Sequence, residues 1–293
     1  MGLGKTIEML SLVHTLRAPQ GTPNRSTLVV APMSIISQWK SEADKSSNPG
    51  TLKTLIYYGS DKSLDLPSLC ASPAAPDVIV TSYGVVLSEW TSGKTSEGIF
   101  GTEWFRVILD EAHSIKNRLS KTARACYEIK AERRWVLTGT PIVNKLEDLF
   151  SLVHFLGVEP WSLYSYWRTF ITVPFESKDY LRALDVVQTI LEPLVLRRTK
   201  DMKDSEGNRS DLLHLIISSR QSHRFTTRKG NYERISRDVS SRTRDLHVHL
   251  HTSQKNIYSS GSIRHCNEEL YYDPINASST STIMLSLFTS QTP

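Results

Sequence analysis

Residues 104–113 read Trp-Phe-Arg-Val-Ile-Leu-Asp-Glu-Ala-His. The run Phe105–Leu109 is short, mostly apolar and partly β-branched, the pattern of a strand covered on both faces. Two adjacent carboxylates follow it. A carboxylate at the C-terminal edge of such a strand sits where open α/β sheets bind ligands. There Asp110 can hold a magnesium ion, directly or through water. Glu111 is then placed to orient or deprotonate an attacking water. The same pair also reads as an acidic helix start, because aspartate is a common N-cap. The choice turns on whether the chain carries the other half of a phosphate site.

That half stands at the N-terminus, Gly2-Leu3-Gly4-Lys5-Thr6. Glycines let backbone N–H groups wrap a triphosphate. A lysine supplies a point charge to the β- and γ-phosphates, and a hydroxyl ligates magnesium. The helix that starts near Thr6 aims its N-terminus at the anion. Gly2, Gly4, Lys5 and Thr6 are therefore candidates for nucleotide binding, with Thr6 and Asp110 as metal ligands. Lys5, Asp110 and Glu111 are the catalytic candidates. Met1–Thr6 also satisfies an N-myristoylation pattern, and Lys5–Leu16 loosely imitates a signal peptide. Glu8 and His14 interrupt that stretch, and the phosphate-loop reading accounts for the same residues better.

Working outward, Thr27–Ala31 (TLVVA), Asp77–Ser82 (DVIVTS) and Arg134–Thr138 (RWVLT) repeat the buried-strand pattern. Amphipathic stretches at Ile7–Leu16, Ser34–Ala43 and Ser120–Lys130 lie between them. This alternation predicts an α/β domain with a parallel sheet and helices on both faces. Thr138-Gly139-Thr140-Pro141 closes the last strand; small residues there permit close backbone approach, or simply turn the chain. Residues 146–193 read as mostly helical, with Leu146, Leu149, Leu152, Val153 and Leu156 as a core-facing stripe. Residues 59–76 and 91–101 read as loops.

Composition narrows the class. The 293 residues carry a net charge of +5 and 39% hydrophobic residues, enough for a sizeable core and compatible with a polyanionic partner. The three cysteines, Cys70, Cys126 and Cys266, are far apart and form no C-x-x-C pair. That spacing excludes a zinc ribbon or RING within this chain and argues against a disulfide framework. No apolar run approaches the roughly 18 residues of a membrane span.

In this order, the three chemical segments resemble motifs I, II and III of superfamily 2 helicases. The wording goes further and resembles the Snf2 family of DEAH-box, ATP-dependent DNA translocases. It includes MGLGKTIEML (1–10), TLVVAPMSIISQWKSE (27–42), DVIVTSYGVV (77–86), WFRVILDEAHSIKN (104–117), RRWVLTGTPIVN (133–144) and LVLRRTKDM (194–202). The likeness covers about residues 1–208. Within the family it is similar to the fungal RING-bearing post-replication repair translocases and to helicase-like transcription factor.

The resemblance implies a RecA-like lobe over 1–145, a helical extension and exit linker over 146–200, and ATP with Mg²⁺ as cofactors. It implies that His113, Thr138, Gly139 and Thr140 couple nucleotide state to lobe movement. It assigns Pro32, Ser34, Gln38 and Trp39 to one DNA-tracking motif, and Thr81, Ser82 and Tyr83 to another. Trp39 reads more readily as a core aromatic, and Tyr83 reads either way. The implied partner is double-stranded DNA, with replication-fork or chromatin proteins, in the nucleus. The implied work is repair or fork remodelling; nucleosome remodelling is the alternative.

Arg197-Arg198-Thr199-Lys200 marks the exit from the lobe in that family, or a solvated linker. Nothing after residue 208 matches a second lobe, its arginine fingers or a RING. The chain therefore reads as a fragment, cut within the phosphate loop and near Asn208, with little turnover alone. Residues 201–293, rich in Ser and Thr, read as a disordered tail. His247, His249 and His251 would share one face of a strand, but no second ligand cluster accompanies them.

Overall fold

The computed structural model describes residues 4–19, 22, 24–59, 64–93, 96–142 and 145–198, with backbone alone for 197–198 and 283–288. Helix α1 (Lys5–Thr15) leads into β1 (Thr27–Ala31), a 3-10 turn (Met33–Ile35) and α2 (Ile36–Ser46). Then come β2 (Thr54–Ile56), α3 (Leu66–Ala71), β3 (Val78–Ser82), α4 (Tyr83–Thr91) and β4 (Trp104–Asp110). A second 3-10 turn (Ala112–Ile115), α5 (Lys121–Tyr127), β5 (Ala131–Thr138) and α6 (Leu146–Leu156) follow. The run Tyr164–Glu176 is helical throughout: α7 (Tyr164–Trp167), a π-turn (Arg168–Thr172) and α8 (Val173–Glu176). Helix α9 (Tyr180–Leu191) and strands β6 (Val195–Arg198) and β7 (Ile283–Phe288) complete the described elements.

The strands form one sheet in the order β2-β3-β1-β4-β5-β7-β6, with every neighbouring pair parallel. Successive side chains of a strand point to opposite faces, and both faces are covered. Leu28, Val30, Ile79, Val107, Leu109 and Val136 pack with α4, α5 and α6. Their neighbours Val29, Val78, Val80, Ile108, Trp135 and Leu137 pack with α1 and α2. Strands β1, β3 and β4 are buried along their whole length and mostly apolar at consecutive positions, because neither of their faces meets water. The expected α/β class and parallel sheet are found. The α6 stripe is core, with Leu149, Leu152, Val153 and Leu156 all buried.

Some expectations need correction. The 59–76 loop contains α3, capped by Asp65, whose carboxylate accepts from the Ser68 N–H. The exit linker contains β6, and within the tail Ile283–Phe288 runs as a strand between β5 and β6. The rest of 199–293, with the histidine triplet, Thr199, Lys200 and Cys266, lies outside the described residues. Among the described residues no helix is long and apolar enough to cross a membrane.

Strand β4 buries two charged side chains, Arg106 in its middle and Asp110 at its end. Arg106, 1% exposed on β4, donates to the Leu16 carbonyl at 2.9 Å and to Thr27 Oγ1 at 3.2 Å. Leu16 is the residue that ends α1. Burial, with Arg133 nearby, lowers the guanidinium's pKa to about 9.

Candidate active site at the sheet rim

Parallel register fixes where the chemistry gathers. Ala31 lies opposite Ser82, Leu109 opposite Val136, and Asp110 opposite Leu137. The C-terminal ends of β1, β3, β4 and β5 therefore share one rim, and the segments after them carry the sequence candidates.

Lys5 opens α1. Gly4 caps the helix in the left-handed region at φ 81°, a conformation that favours glycine, and no side chain caps its first turn. Across 106 residues of chain, Lys5 Nζ reaches Glu111 Oε1 at 2.9 Å. His113 Nδ1 lies 3.4 Å from Glu111 Oε2. Asp110 is 4% exposed, and burial raises its carboxyl pKa, opposed by the Trp39 hydrogen bond and the Lys5 charge. Its Oδ2 accepts from Trp39 Nε1 at 2.8 Å, its Oδ1 from the Glu111 N–H at 2.9 Å, and its main-chain oxygen from Tyr83 OH at 2.8 Å. Glu111 adopts φ 47° and ψ 52°, a strained conformation for a non-glycine residue.

These residues fit a magnesium triphosphate. The uncapped start of α1 and the Lys5 ammonium offer positive potential, and Asp110 offers a carboxylate fixed in rotation by two N–H donors. Thr6 lies on the same first turn, half-buried. The Lys5–Glu111 pair joins the start of α1 to the residue that follows β4.

The remaining candidates separate by exposure. Thr138 is buried and its Oγ1 accepts from the Thr140 N–H at 3.1 Å, which sets the turn containing Gly139. Pro32 is half-buried, while Ser34 and Gln38 are exposed. Trp39, by contrast, is 2% exposed: its indole holds Asp110 rather than presenting a surface. Thr81 is buried and its hydroxyl donates to the Tyr57 carbonyl at 2.9 Å. Ser82 caps α4, accepting from the Val85 N–H at 3.1 Å. Gly2 lies outside the described residues. The two segments assigned to DNA nevertheless meet. A cleft of about 270 Å³ is lined by Pro32, Met33, Tyr58, Ser82, Tyr83, Gly84 and Val85. Tyr58 lies outside the motif runs quoted from the sequence, and Met33 lies within 27–42 without being a site candidate there; the Tyr58 hydroxyl donates to Met33 Sδ at 2.9 Å.

A family model described as the SNF2-related domain matches residues 1–271, beyond the motif wording that ends near Asn208. The chain belongs to this family. A "DNA repair protein rad5" of Aspergillus fumigatus is 61% identical to this SNF2-related chain over 237 residues, covering 71% of the chain and 19% of the relative. A "DNA repair protein rad8" of Schizosaccharomyces pombe is 54% identical over 224 residues, covering 71% of the chain and 20% of the relative. The chain thus spans about a fifth of the length of these curated relatives. In fold it matches a Sulfolobus solfataricus SWI2/SNF2 ATPase core in complex with dsDNA, with a TM-score of 0.54 and 22% identity. That match covers 83% of this chain and 52% of the other.

Proposed function

We propose that this SNF2-related chain is the first motor lobe of an ATP-dependent, DNA-stimulated translocase acting in nuclear DNA repair. The observation that carries the reading is the Lys5–Glu111 contact, with Asp110 beside it at the strand end. It joins the two halves of a phosphate site that lie over a hundred residues apart. The repair role is supported by the names of the fungal relatives, and duplex DNA by the neighbour in complex with dsDNA.

Bound here, magnesium ATP would supply the phosphoanhydride bond to be broken. Gly4 and the first amides of α1 would cradle its phosphates, and Lys5 would neutralise them, releasing Glu111. Thr6 Oγ1 and Asp110 would hold the ion. Glu111 would take the proton of the attacking water, the step for which a freed carboxylate is suited. His113 and the Thr138–Thr140 turn lie beside this group and would register its state for the rest of the motor. In the resembled family the arginines that complete charge stabilisation come from a second lobe. Assayed alone, the 293-residue chain is expected to show little or no DNA-stimulated hydrolysis.

The test is a pair of substitutions in the full-length protein. Lys5→Ala should abolish binding of a fluorescent ATP analogue. Glu111→Gln should retain binding and lose about 10²–10⁴-fold in DNA-stimulated hydrolysis. Wild-type turnover by the Gln variant would overturn the assignment.

A further inference from the structure

We propose that Arg106 is a positioning residue for the phosphate site: its buried guanidinium sets how far α1 advances along the sheet, and so where Lys5 and the first amides of that helix stand. This rests on the nucleotide-binding part of the motor reading above and adds a residue that has no role in it.

Arg106 stands in a row of the sheet that runs Thr27, Arg106, Arg133. Its neighbour on β5 is thus a second cation, and the two guanidinium carbons lie 5.1 and 4.6 Å from the centre of the Phe105 ring. Among the described residues Arg106 forms no salt bridge, and its Nε has no partner. Burial first, and Arg133 second, disfavour its charge. A charge in such a place destabilises a fold relative to an apolar side chain of similar volume. Packing alone therefore gives no reason for an arginine here.

What the side chain supplies is direction. One nitrogen donates to the Leu16 carbonyl and another to Thr27 Oγ1, so one planar group ties the end of α1 to β1 and β4 together. A cation at the last carbonyls of α1 also complements the helix dipole, whose positive end faces the phosphate site. The body of α1 is held by Met9, Leu10, Leu12 and Val13, packed with Val29, Ile108 and Leu137. Apolar burial is non-directional, so it resists lifting of the helix more than a small slide along its axis. Arg17 donates to the Thr51 carbonyl at 2.8 Å, but it is exposed, where water competes for the bond. Arg106 is the anchor that water does not reach. A slide permitted at Leu16 is carried by the rigid helix to Lys5 at its other end.

The experiment measures, in the full-length protein, the Tm without nucleotide and, well below that Tm, the Kd of a fluorescent ATP analogue with magnesium. Arg106→Met keeps the volume and removes the charge. It should melt within about 5 °C of wild type, because relief of a buried charge offsets the donor lost at Leu16. Its Kd should nevertheless rise about tenfold, the loss of roughly one well-aligned charged hydrogen bond to phosphate. A merely structural arginine predicts the reverse pairing, a large fall in Tm with the Kd of the folded protein unchanged. Where the Met variant fails to fold, Arg106→Lys decides. It keeps the charge without the two-pronged reach, so its Kd should still rise severalfold. A wild-type Kd in a folded Arg106 variant overturns the positioning role and leaves the motor reading intact. If wild type itself binds no nucleotide, both fall.

Discussion

At the scale of single residues, Gly84 is a place where side-chain volume can be added without disturbing the protein. A Cβ there would meet only Ser82 Oγ, at an ordinary 3.7 Å. Gly84→Ala should therefore leave stability unchanged or raise it by up to about 1 kcal/mol, because alanine favours a helix. The new methyl group would stand in the cleft, so duplex affinity measured by anisotropy should fall several-fold. A second residue-scale expectation concerns the thiols. Cys70 and Cys126 are buried, and burial raises both pKa values. Both should resist alkylation at neutral pH in the folded chain and react on unfolding, as mass spectrometry of labelled peptides would report. The identities of Lys5, Asp110 and Glu111 were legible in the sequence because each follows a recognisable strand end or opens a helix. The contacts of Trp39 and Tyr83 with Asp110 were not. Their bonds to Asp110 span 71 and 27 residues, and no local spacing announces them.

Among the elements, α5, α6 and the turn after Glu111 are tied by one hydroxyl. Ser151 of α6 donates to the Ile115 carbonyl and bonds the Tyr127 hydroxyl of α5. Ser151→Ala leaves the buried Ile115 oxygen without this donor and should cost about 1–3 kcal/mol in urea unfolding. Long apolar strands were legible, since Thr27–Ala31 has the same bounds in sequence and structure. The elements overlooked are short or disguised. Strand β2 has three half-buried residues at the sheet edge, too few to set a period. Helix α4 carries Gly84, Val85 and Val86, poor helix formers; its signal was Ser82 as N-cap. Helix α3 was masked by Pro67, which suits a first helical turn as well as a loop.

For the molecule as a whole, a ligand that binds only the folded state adds to its stability by mass action. Magnesium nucleotide at a hundred times its Kd should add about 2.7 kcal/mol and raise Tm by several degrees. Lys5→Ala should abolish that rise in a thermal-shift assay. The parallel architecture was legible as a class, while the position of Ile283–Phe288 inside the sheet was not, because nothing in its sequence specifies β5 and β6 as neighbours. Helix α1 is fastened twice to one strand: Lys5 to Glu111 just beyond β4, and Leu16 to Arg106 within it. From Lys5 to Leu16 a helix advances about 16 Å, and from Arg106 to Glu111 an extended chain advances about 16 Å. The helix thus acts as a gauge cut to the length of its strand. One residue inserted after Leu12 would lengthen the gauge and rotate everything beyond it. Such a protein would keep every phosphate-binding and acidic residue, yet should lose nucleotide affinity, because the two fastenings could no longer be made together.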